Sequence, residues 1–378
     1  MGVLVDTTYK FGASIVRGVL RYANLRRRWL LHKDLVVTPE TREHWPAFDG
    51  AICAGVSNDV VWRVAKRCGG RVVHCSAAGD PAKCPVVCLD GAMAGAQAAE
   101  HLVERRLEHF AFYSKLGEVG EQRFAGFRDA LAAHGLEPCD KLQFPNYAGA
   151  RDRRHLLDLI RWLQPLPKPV GIFAGDDMDA HDLADACLEA NLAVPEQVAI
   201  IGVNNDDLLC EGAWPPLSSV EGDFARMGYL AAQVLERMLA GEALEPSDRM
   251  NALLPLGVVQ RQSTNVLAVN DENLAKAIQY IREHACDPCN VHDVLRTLPV
   301  SRRWLEKLFL SQLGRTPHEE IARVRVETAK RFLRETELRL PEISVRCGFS
   351  DLKRFYITFR GVAGTTPAAY RRSRRAQR

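Results

Sequence analysis

The 378 residues, 47% apolar and 26% charged, suffice for two or three domains with sizeable cores, and no apolar run reaches membrane-spanning length. The net charge of +3 conceals a split: residues 271–378 carry 22 Lys and Arg against 13 Asp and Glu, a net of +9, which leaves 28 against 34, a net of −6, for residues 1–270. The basic C-terminal part suits a polyanion through phosphate neutralisation and counterion release, and the acidic N-terminal part does not. Eleven cysteines, odd in number and scattered from Cys53 to Cys347, argue against a disulfide framework. With no charged segment leading into an apolar one at the start, the chain reads as reduced and cytoplasmic.

Val3-Leu4-Val5 is a short apolar strand, followed by Ile15, Val16, Val19, Leu20 and Ala23 at helical spacing. Ala51-Ile52-Cys53 is a second strand, with Val60, Val61, Val64 and Ala65 as its helix; Val72–Cys75 and Val86–Leu89 are further strands. A helix over Ala92–Arg105 leads to strand Phe110–Tyr113, and another over Gln122–His134 ends at Gly135. The alternation continues through helix Leu156–Leu163, strand Val170–Ala174, helix Met178–Ala190, strand Val198–Val203 and helix Phe224–Leu239. Such alternation predicts parallel sheets covered on both faces, and the length predicts two lobes rather than one open sheet. A ligand would then sit beyond the carboxyl ends of the strands.

Polar residues gather at those ends: Asp6-Thr7-Thr8 with Tyr9, Lys10 and Phe11; Ser114-Lys115; Asp176 and Asp177; Asn204 and Asn205 with Asp206 and Asp207; and Arg123 early in its helix. Carboxylates and amides pair with adjacent hydroxyls, Arg forks across two oxygens, and an aromatic covers an apolar ring face, which is what a polyol needs. Ordinary helix capping explains any one of these residues equally well; the recurrence of carboxylates and amides at two successive strand ends favours a site. No HExxH, GxSxG, Walker A or GxGxxG pattern supplies a metal, nucleophile, phosphate loop or cofactor fingerprint. Cys286 and Cys289 form a CxxC with no second pair at zinc-site spacing, so they read as a helix end before Pro288 rather than a metal site.

The polar stretch Gln260–Asn265, continuing to Asp271, reads as a linker. Beyond it, two patterns of short helix, tight turn and longer helix follow in tandem. The first has Asn290–Leu295, a break at Leu298-Pro299, then Ser301–Phe309; the second has Leu340–Phe349, then Ser350–Arg360. Ser301 and Ser350 are predicted to cap the longer helices, and Gly348 suits a residue with positive φ. Such a unit puts the first turns of its second helix into a major groove. Spacing assigns Trp304, Leu308, Phe309, Phe355 and Phe359 to the core, and Arg371–Arg375 to a disordered basic tail.

Ala329–Leu333, Ile343–Phe349, Phe355–Arg360 and Gly364–Arg371 resemble the DNA-binding domain of the AraC family of transcription regulators. The resemblance implies that a long helix, Ile321 to Glu335 here, joins the two units. It also implies that Arg303 and Lys307, then Leu352, Lys353 and Tyr356, face bases, and that Ser301, Arg302, Arg354 and Arg360 lie nearer phosphates. Gln122–Phe127, Phe173–Asp177, Val198–Asn205, Pro216–Val220 and Met227–Ala232 resemble the sugar-sensing core of LacI-type repressors. That resemblance implies that Arg123, Asp176, Asp177 and Asn205 lie near a sugar. The loop Asp6 to Ser14 departs from the members of this architecture that sense xylose, so the resemblance supports a small sugar more than xylose itself.

The expected fold is a two-lobed α/β periplasmic-binding-protein-like sensor over residues 1–262, a linker over 263–271, and an all-α double helix-turn-helix domain over 272–378. The expected function is regulation, as an activator of pentose catabolism genes, with Tyr9, Phe11, Arg123, Asp176, Asp177, Asn204 and Asn205 binding a small sugar, D-xylose being one candidate. Expected partners are operator DNA, RNA polymerase and a second copy of the chain, with no membrane, no cofactor and no enzymatic activity. The rival reading is a sugar-active enzyme or a transport binding protein carrying a DNA module.

Overall fold

The computed structural model describes residues 1–26, 29, 48–143, 153–265, 271–336 and 338–375. They form two units, Met1–Asn265 and Val266–Arg378. The first begins with β1 (Gly2–Val5), α1 (Lys10–Arg26), β2 (Ala51–Ala54), α2 (Asn58–Arg67), β3 (Val72–Cys75) and β4 (Val86–Leu89). It continues with α3 (Gly91–Val103), β5 (His109–Ser114), α4 (Glu118–Ala133), β6 (Pro138–Gln143), α5 (Arg153–Leu163), β7 (Val170–Ala174), α6 (Asp177–Glu189), β8 (Val198–Val203), α7 (Asp207–Gly212) and β9 (Ser218–Glu221). It closes with α8 (Phe224–Leu239), α9 (Pro246–Arg249), β10 (Met250–Leu253), β11 (Gly257–Val259) and a 3-10 turn over Gln262–Thr264.

Two sheets result, ordered β1-β2-β3-β4-β10 and β11-β9-β8-β7-β5-β6. All pairings are parallel except β11 with β9, a departure from the all-parallel expectation. Strands such as Val72–Cys75 and Val170–Ala174 are buried throughout, as the cores of sheets covered on both faces must be. The chain passes between lobes three times: from β4 into α3, from β9 into α8, and from β10 into β11. Periodicity did not reveal β6, β9, β10, β11 or α7. β6 and β9 are polar, Ser-Ser-Val-Glu in β9 for example, while β10, β11 and α7 are too short to show a period; the strands are held by sheet neighbours rather than by propensity.

The helix pair α3 and α4 packs backbone to backbone. A Cβ at Gly95 would lie 2.0 Å from Arg123 O, and one at Gly126 would lie 1.9 Å from Ala92 O. This approach sets the position of Arg123, which shares α4 with Gly126.

The polar stretch predicted as linker is not extended as far as Asn265. Ser263 and Thr264 are fully buried, because Ser263 Oγ donates to Ile200 O (2.6 Å) and Thr264 Oγ1 bonds His101 Nε2 (2.7 Å). Residues 266–270 of that linker lie outside the described residues.

The second unit comprises α10 (Glu272–His284), α11 (Val291–Arg296), α12 (Arg302–Leu313), α13 (Pro317–Glu335), α14 (Leu340–Arg346), α15 (Leu352–Ala363) and α16 (Pro367–Arg375). Two apolar cores divide it. Leu274, Ile278, Ile281, Val294, Leu305 and Phe309 build the first, with Ile321 from α13. Val326, Ala329 and Leu333 of α13 join Ile343, Phe355 and Phe359 in the second. The two longer helices have twelve residues each and start fifty positions apart. Each ends at a glycine with positive φ, Gly314 (65°) and Gly364 (68°), and a Thr-Pro step opens the next helix.

That repeat corrects three expectations. Ser301 caps α12, accepting from Trp304 N (3.3 Å), but the cap of α15 is Asp351, which accepts from Arg354 N (2.7 Å), and Ser350 Oγ donates to Asp351 (3.1 Å). Trp304 is exposed rather than core, because Leu305 and Phe309 take the inward positions. Arg371–Arg375 is helical, as the end of α16, with Arg371 Nη2 donating to Leu338 O (2.8 Å). Cys286 and Cys289 fall between α10 and α11, with Cys289 buried in the first core.

Buried Glu320 fixes the start of α13. It accepts from Arg315 Nε (2.5 Å) and from Arg323 Nε and Nη2 (2.9 and 2.6 Å). Burial pushes its carboxyl up, but Arg323, Arg315 and Arg282 prevail and hold it at about 2 rather than the ordinary 4.5. A folded value below the unfolded one stabilises above the unfolded value, and that stability is lost as pH falls through the folded one. Stabilisation by Glu320 is therefore complete above about pH 4.5 and lost towards pH 2. Glu320→Gln is expected to lower the stability of this unit by about 3 kcal/mol at pH 7, with the difference from wild type shrinking below pH 4.5. Denaturation followed across pH checks both statements.

A second expectation concerns packing. Gly126→Ala, which would favour an isolated helix by about 1 kcal/mol, is expected instead to destabilise by about 2 kcal/mol or more. Gly361→Ala, on an open face of α15, is expected to stabilise slightly. Thermal unfolding of the two variants should move in opposite directions.

Candidate functional site

In the first unit the sequence-predicted residues meet at the carboxyl ends of the strands. Arg123 is buried; its Nη1 donates to Gly175 O, and its Nε has no hydrogen-bond partner. Half-buried Asp176 caps α6, accepting from Asp179 N (2.9 Å). Burial raises its carboxyl, against the pull of Asp179 N–H, Arg123 and Lys115. The guanidinium and this carboxylate thus share one strand end.

Asp177 has a different part. It is 1% exposed, and both its oxygens are occupied: Oδ1 by Ser219 Oγ (2.6 Å) and Oδ2 by Asp206 N (2.7 Å). Ser219 Oγ in turn accepts from Asn205 N (2.9 Å). This carboxylate acts as frame, each of its oxygens being engaged by a protein donor. Asn204 and Asn205 both adopt positive φ, 111° and 51°. Asn204 is half-buried. The Asn205 amide is fixed, with Nδ2 donating to Glu221 (3.1 Å) and Oδ1 accepting from Arg261 Nη2 (2.8 Å).

From the other lobe, Tyr9 and Phe11 are half-buried at the start of α1, and Phe11 sets its ring edge-on to Phe224 at 4.9 Å. Lys10, between them, joins the lobes: its N donates to Asp206 (2.6 Å), and its Nζ donates to Asn205 O (2.7 Å) and pairs with Asp207 (3.2 Å). Gln122 Nε2 makes a second crossing to Ala77 O (3.1 Å). Sequence reading noted Lys10, Lys115 and Asp206 but gave them no part. Lys115 pairs with buried Asp182 and, at 3.5 Å, with Asp179 behind the Asp176 cap. Ser219, noted only within a motif, Arg261, noted only within the linker, and Glu221 showed no role of their own in the sequence because their partners lie between 14 and 56 residues away.

In the second unit, Arg302, Arg303 and Lys307 are exposed on α12, with Arg302 pairing to Glu306 (2.9 Å). On α15, Lys353, Arg354 and Arg360 are exposed and Leu352 is 39% exposed at the first position. Tyr356 is half-buried and packs on the second core, so it lies beside the outer face rather than on it. The residue on that face one turn after Lys353 is Ile357, 63% exposed, which sequence reading passed over. The fifty-residue offset makes Arg303 and Lys353 equivalent, and pairs Lys307 with Ile357.

Burial pushes the Asp177 carboxyl up to about 7, against hydrogen bonds from Ser219 and Asp206 N. An acid raised on folding destabilises progressively as pH climbs from its unfolded value, about 3.9, to its folded one. His74 and His101, lowered by burial to about 4 and about 3, work with the opposite sign, so the Asp177 effect is read as a difference. The stability of wild type relative to Asp177→Asn is expected to fall between pH 5 and 7 and level off above it. Thermal unfolding of both proteins across that range measures it.

Residues 99–264 match the model of a periplasmic binding protein-like domain, and residues 294–373 match that of a helix-turn-helix domain. The chain is 35% identical over 284 residues to the xylose operon regulatory protein of Escherichia coli K12, covering 72% of this chain and 69% of that one. It is 31% identical over 294 residues to the protein of the same name from Haemophilus influenzae, covering 76% and 74%. Among solved structures, that of the xylose-binding transcription activator xylR matches with a TM-score of 0.84 and 27% identity over 98% of this chain and 97% of that one. An α/β two-lobed sensor with its strand-end polar cluster, a paired helix-turn-helix unit, and these similarities over most of the length lead to one conclusion: the chain belongs to the family of xylose operon regulatory proteins, sugar-responsive DNA-binding transcription regulators.

Proposed function

We propose that this regulator binds a pentose between its lobes, D-xylose being the first candidate, and activates the genes that consume it. Arg123 and Asp176 are the proposed hydroxyl partners, Asn204 a further polar contact, Asn205 a backbone and positioning element, and Tyr9 and Phe11 the cover of the ring face. The observation that carries this reading is the unpartnered, buried Nε of Arg123, whose guanidinium feels the charge of Asp176, since a buried donor without an acceptor is costly unless a ligand supplies one. The rest of the proposal is a cytoplasmic homodimer that contacts RNA polymerase and performs no turnover. Arg303, Lys307 and Lys353 are the proposed base readers. Ser301, Arg302, Ser350, Arg354 and Arg360 are the proposed phosphate contacts, with Leu352 and Tyr356 beside the groove.

The proposed route from sugar to DNA runs through Arg261. Its guanidinium holds Asn205 Oδ1 (2.8 Å), and its N donates to Ser218 Oγ (2.8 Å), which bonds Thr264 Oγ1 (2.6 Å) at the end of the sensor unit. A sugar that moves Asn205 moves the last residues to which the DNA-binding unit is attached. The coupling is reciprocal, so operator DNA must change sugar affinity by the same factor.

Calorimetric titration of the full chain with D-xylose, L-arabinose, D-ribose and D-glucose tests the reading. One pentose is expected to bind. Asp176→Ala and Arg123→Ala are each expected to weaken it by about tenfold to a hundredfold, equivalent to about 1–3 kcal/mol, and to leave affinity for DNA in the absence of sugar nearly unchanged. Equal affinity in wild type and both variants would overturn the pocket; release of a chemically altered sugar would restore the enzyme reading.

A further inference from the structure

The outer face of α15 differs from that of α12 in a way that charge alone does not explain. At helical spacing i, i+4, i+7 and i+8, that face carries Lys353, Ile357, Arg360 and Gly361. Arg354 flanks it. The matching face of α12 carries Arg303, Lys307, Leu310 and Ser311. In the second turn, where α12 presents the lysine Lys307, α15 presents the branched apolar side chain of Ile357, 63% exposed. Its face-mate one turn on is Gly361, and a Cβ added there would meet nothing within 4 Å. An interior helical glycine is unfavourable by about 1 kcal/mol relative to alanine. Nothing in this unit requires it for packing, and its effect is to leave the surface beside Ile357 low.

An isoleucine ringed by Lys353, Arg354 and Arg360 is poorly placed for an apolar protein partner and well placed for a polyanion that carries apolar groups inside a charged rim. The major groove is such a surface: phosphates line its edges and thymine C5-methyl groups project from its floor. We infer that Ile357 reads a thymine methyl, so that the second helix-turn-helix unit selects its half-site by apolar contact where the first uses the cation Lys307. The inference rests on the DNA-binding reading and adds the class of base to it. It gives the two helices different chemistry: exchange at Lys307 alters salt dependence, and exchange at Ile357 alters thymine preference with little change in salt dependence.

The test uses the full chain and a duplex selected by it from random sequence. Each thymine is replaced in turn by deoxyuridine, which removes the methyl and leaves the hydrogen-bonding edge intact. Wild type is expected to lose about fourfold in affinity at one or two thymines in one half of the site, the order expected for one buried methyl-sized group. Ile357→Ala is expected to bind the thymine and deoxyuridine duplexes equally at that position, while Ile357→Val keeps most of the difference. Ile357→Lys should erase the difference and steepen the salt slope by about one unit. If wild type shows no deoxyuridine penalty, or if Ile357→Ala keeps every penalty that wild type shows, the inference is overturned while DNA binding stands. If the full chain binds no duplex even at low salt, the DNA-binding reading itself fails and takes the inference with it.

Discussion

The sensor depends on one buried carboxylate. Asp177 accepts hydrogen bonds from Ser219 Oγ and Asp206 N, and Ser219 Oγ accepts from Asn205 N, so β9 is tied to the segments that follow β7 and β8 by a few hydrogen bonds. The two asparagines there can hold positive φ because this network over-determines their backbone. In a nearly dry environment each of these bonds is stronger than in water, and each unpaired group would be more costly. The frame therefore has to be complete, and Arg123, whose Nε has no partner, and the Asp176 cap lie outside it.

The same economy appears in the second unit at a different scale. Its two small cores could each collapse around several helix arrangements, since apolar contact is not directional. What selects one arrangement is local and polar: asparagine, serine, threonine and aspartate caps at the starts, left-handed glycines at the ends, and the buried Glu320 with its two arginines between. Arg325 adds three donor contacts to the carbonyls around Ala285 and Cys289, fixing α13 against the end of α10. With the backbones so held, the outer faces of α12 and α15 are free to carry whatever recognition requires, and the fifty-residue repeat shows two solutions on one scaffold.

A regulator needs one part that moves and one that does not. The lobes of the sensor are joined by three chain crossings and by polar bridges such as Lys10. The helix pair α3 and α4, by contrast, is locked by glycines with no room for a methyl. Arg123 projects from this rigid pair towards Gly175 O, so its guanidinium is positioned by packing before any ligand arrives.

Much was legible in the chain itself. Apolar runs such as Val72-Val73 and Ile172-Phe173 had to be buried strands, the spacing of Phe355 with Phe359 had to face inward, and the charge split separated a part suited to DNA from one that is not. These features repeat within a few residues and follow from backbone geometry. The strand-end cluster was legible as a group, but not the division of labour within it. Asp176 and Asp177 are adjacent and chemically identical, and only the approach of Ser219 and Asp206 makes one the frame and leaves the other a candidate contact. Likewise Ser350 and Asp351 are both competent caps, and the choice between them fell to the backbone turn. Which of Trp304, Tyr356 and Ile357 is outward was decided by which neighbours fill the core. Local pattern records what a residue can do; burial and distant partners, which depend on the whole chain having folded, decide what it does.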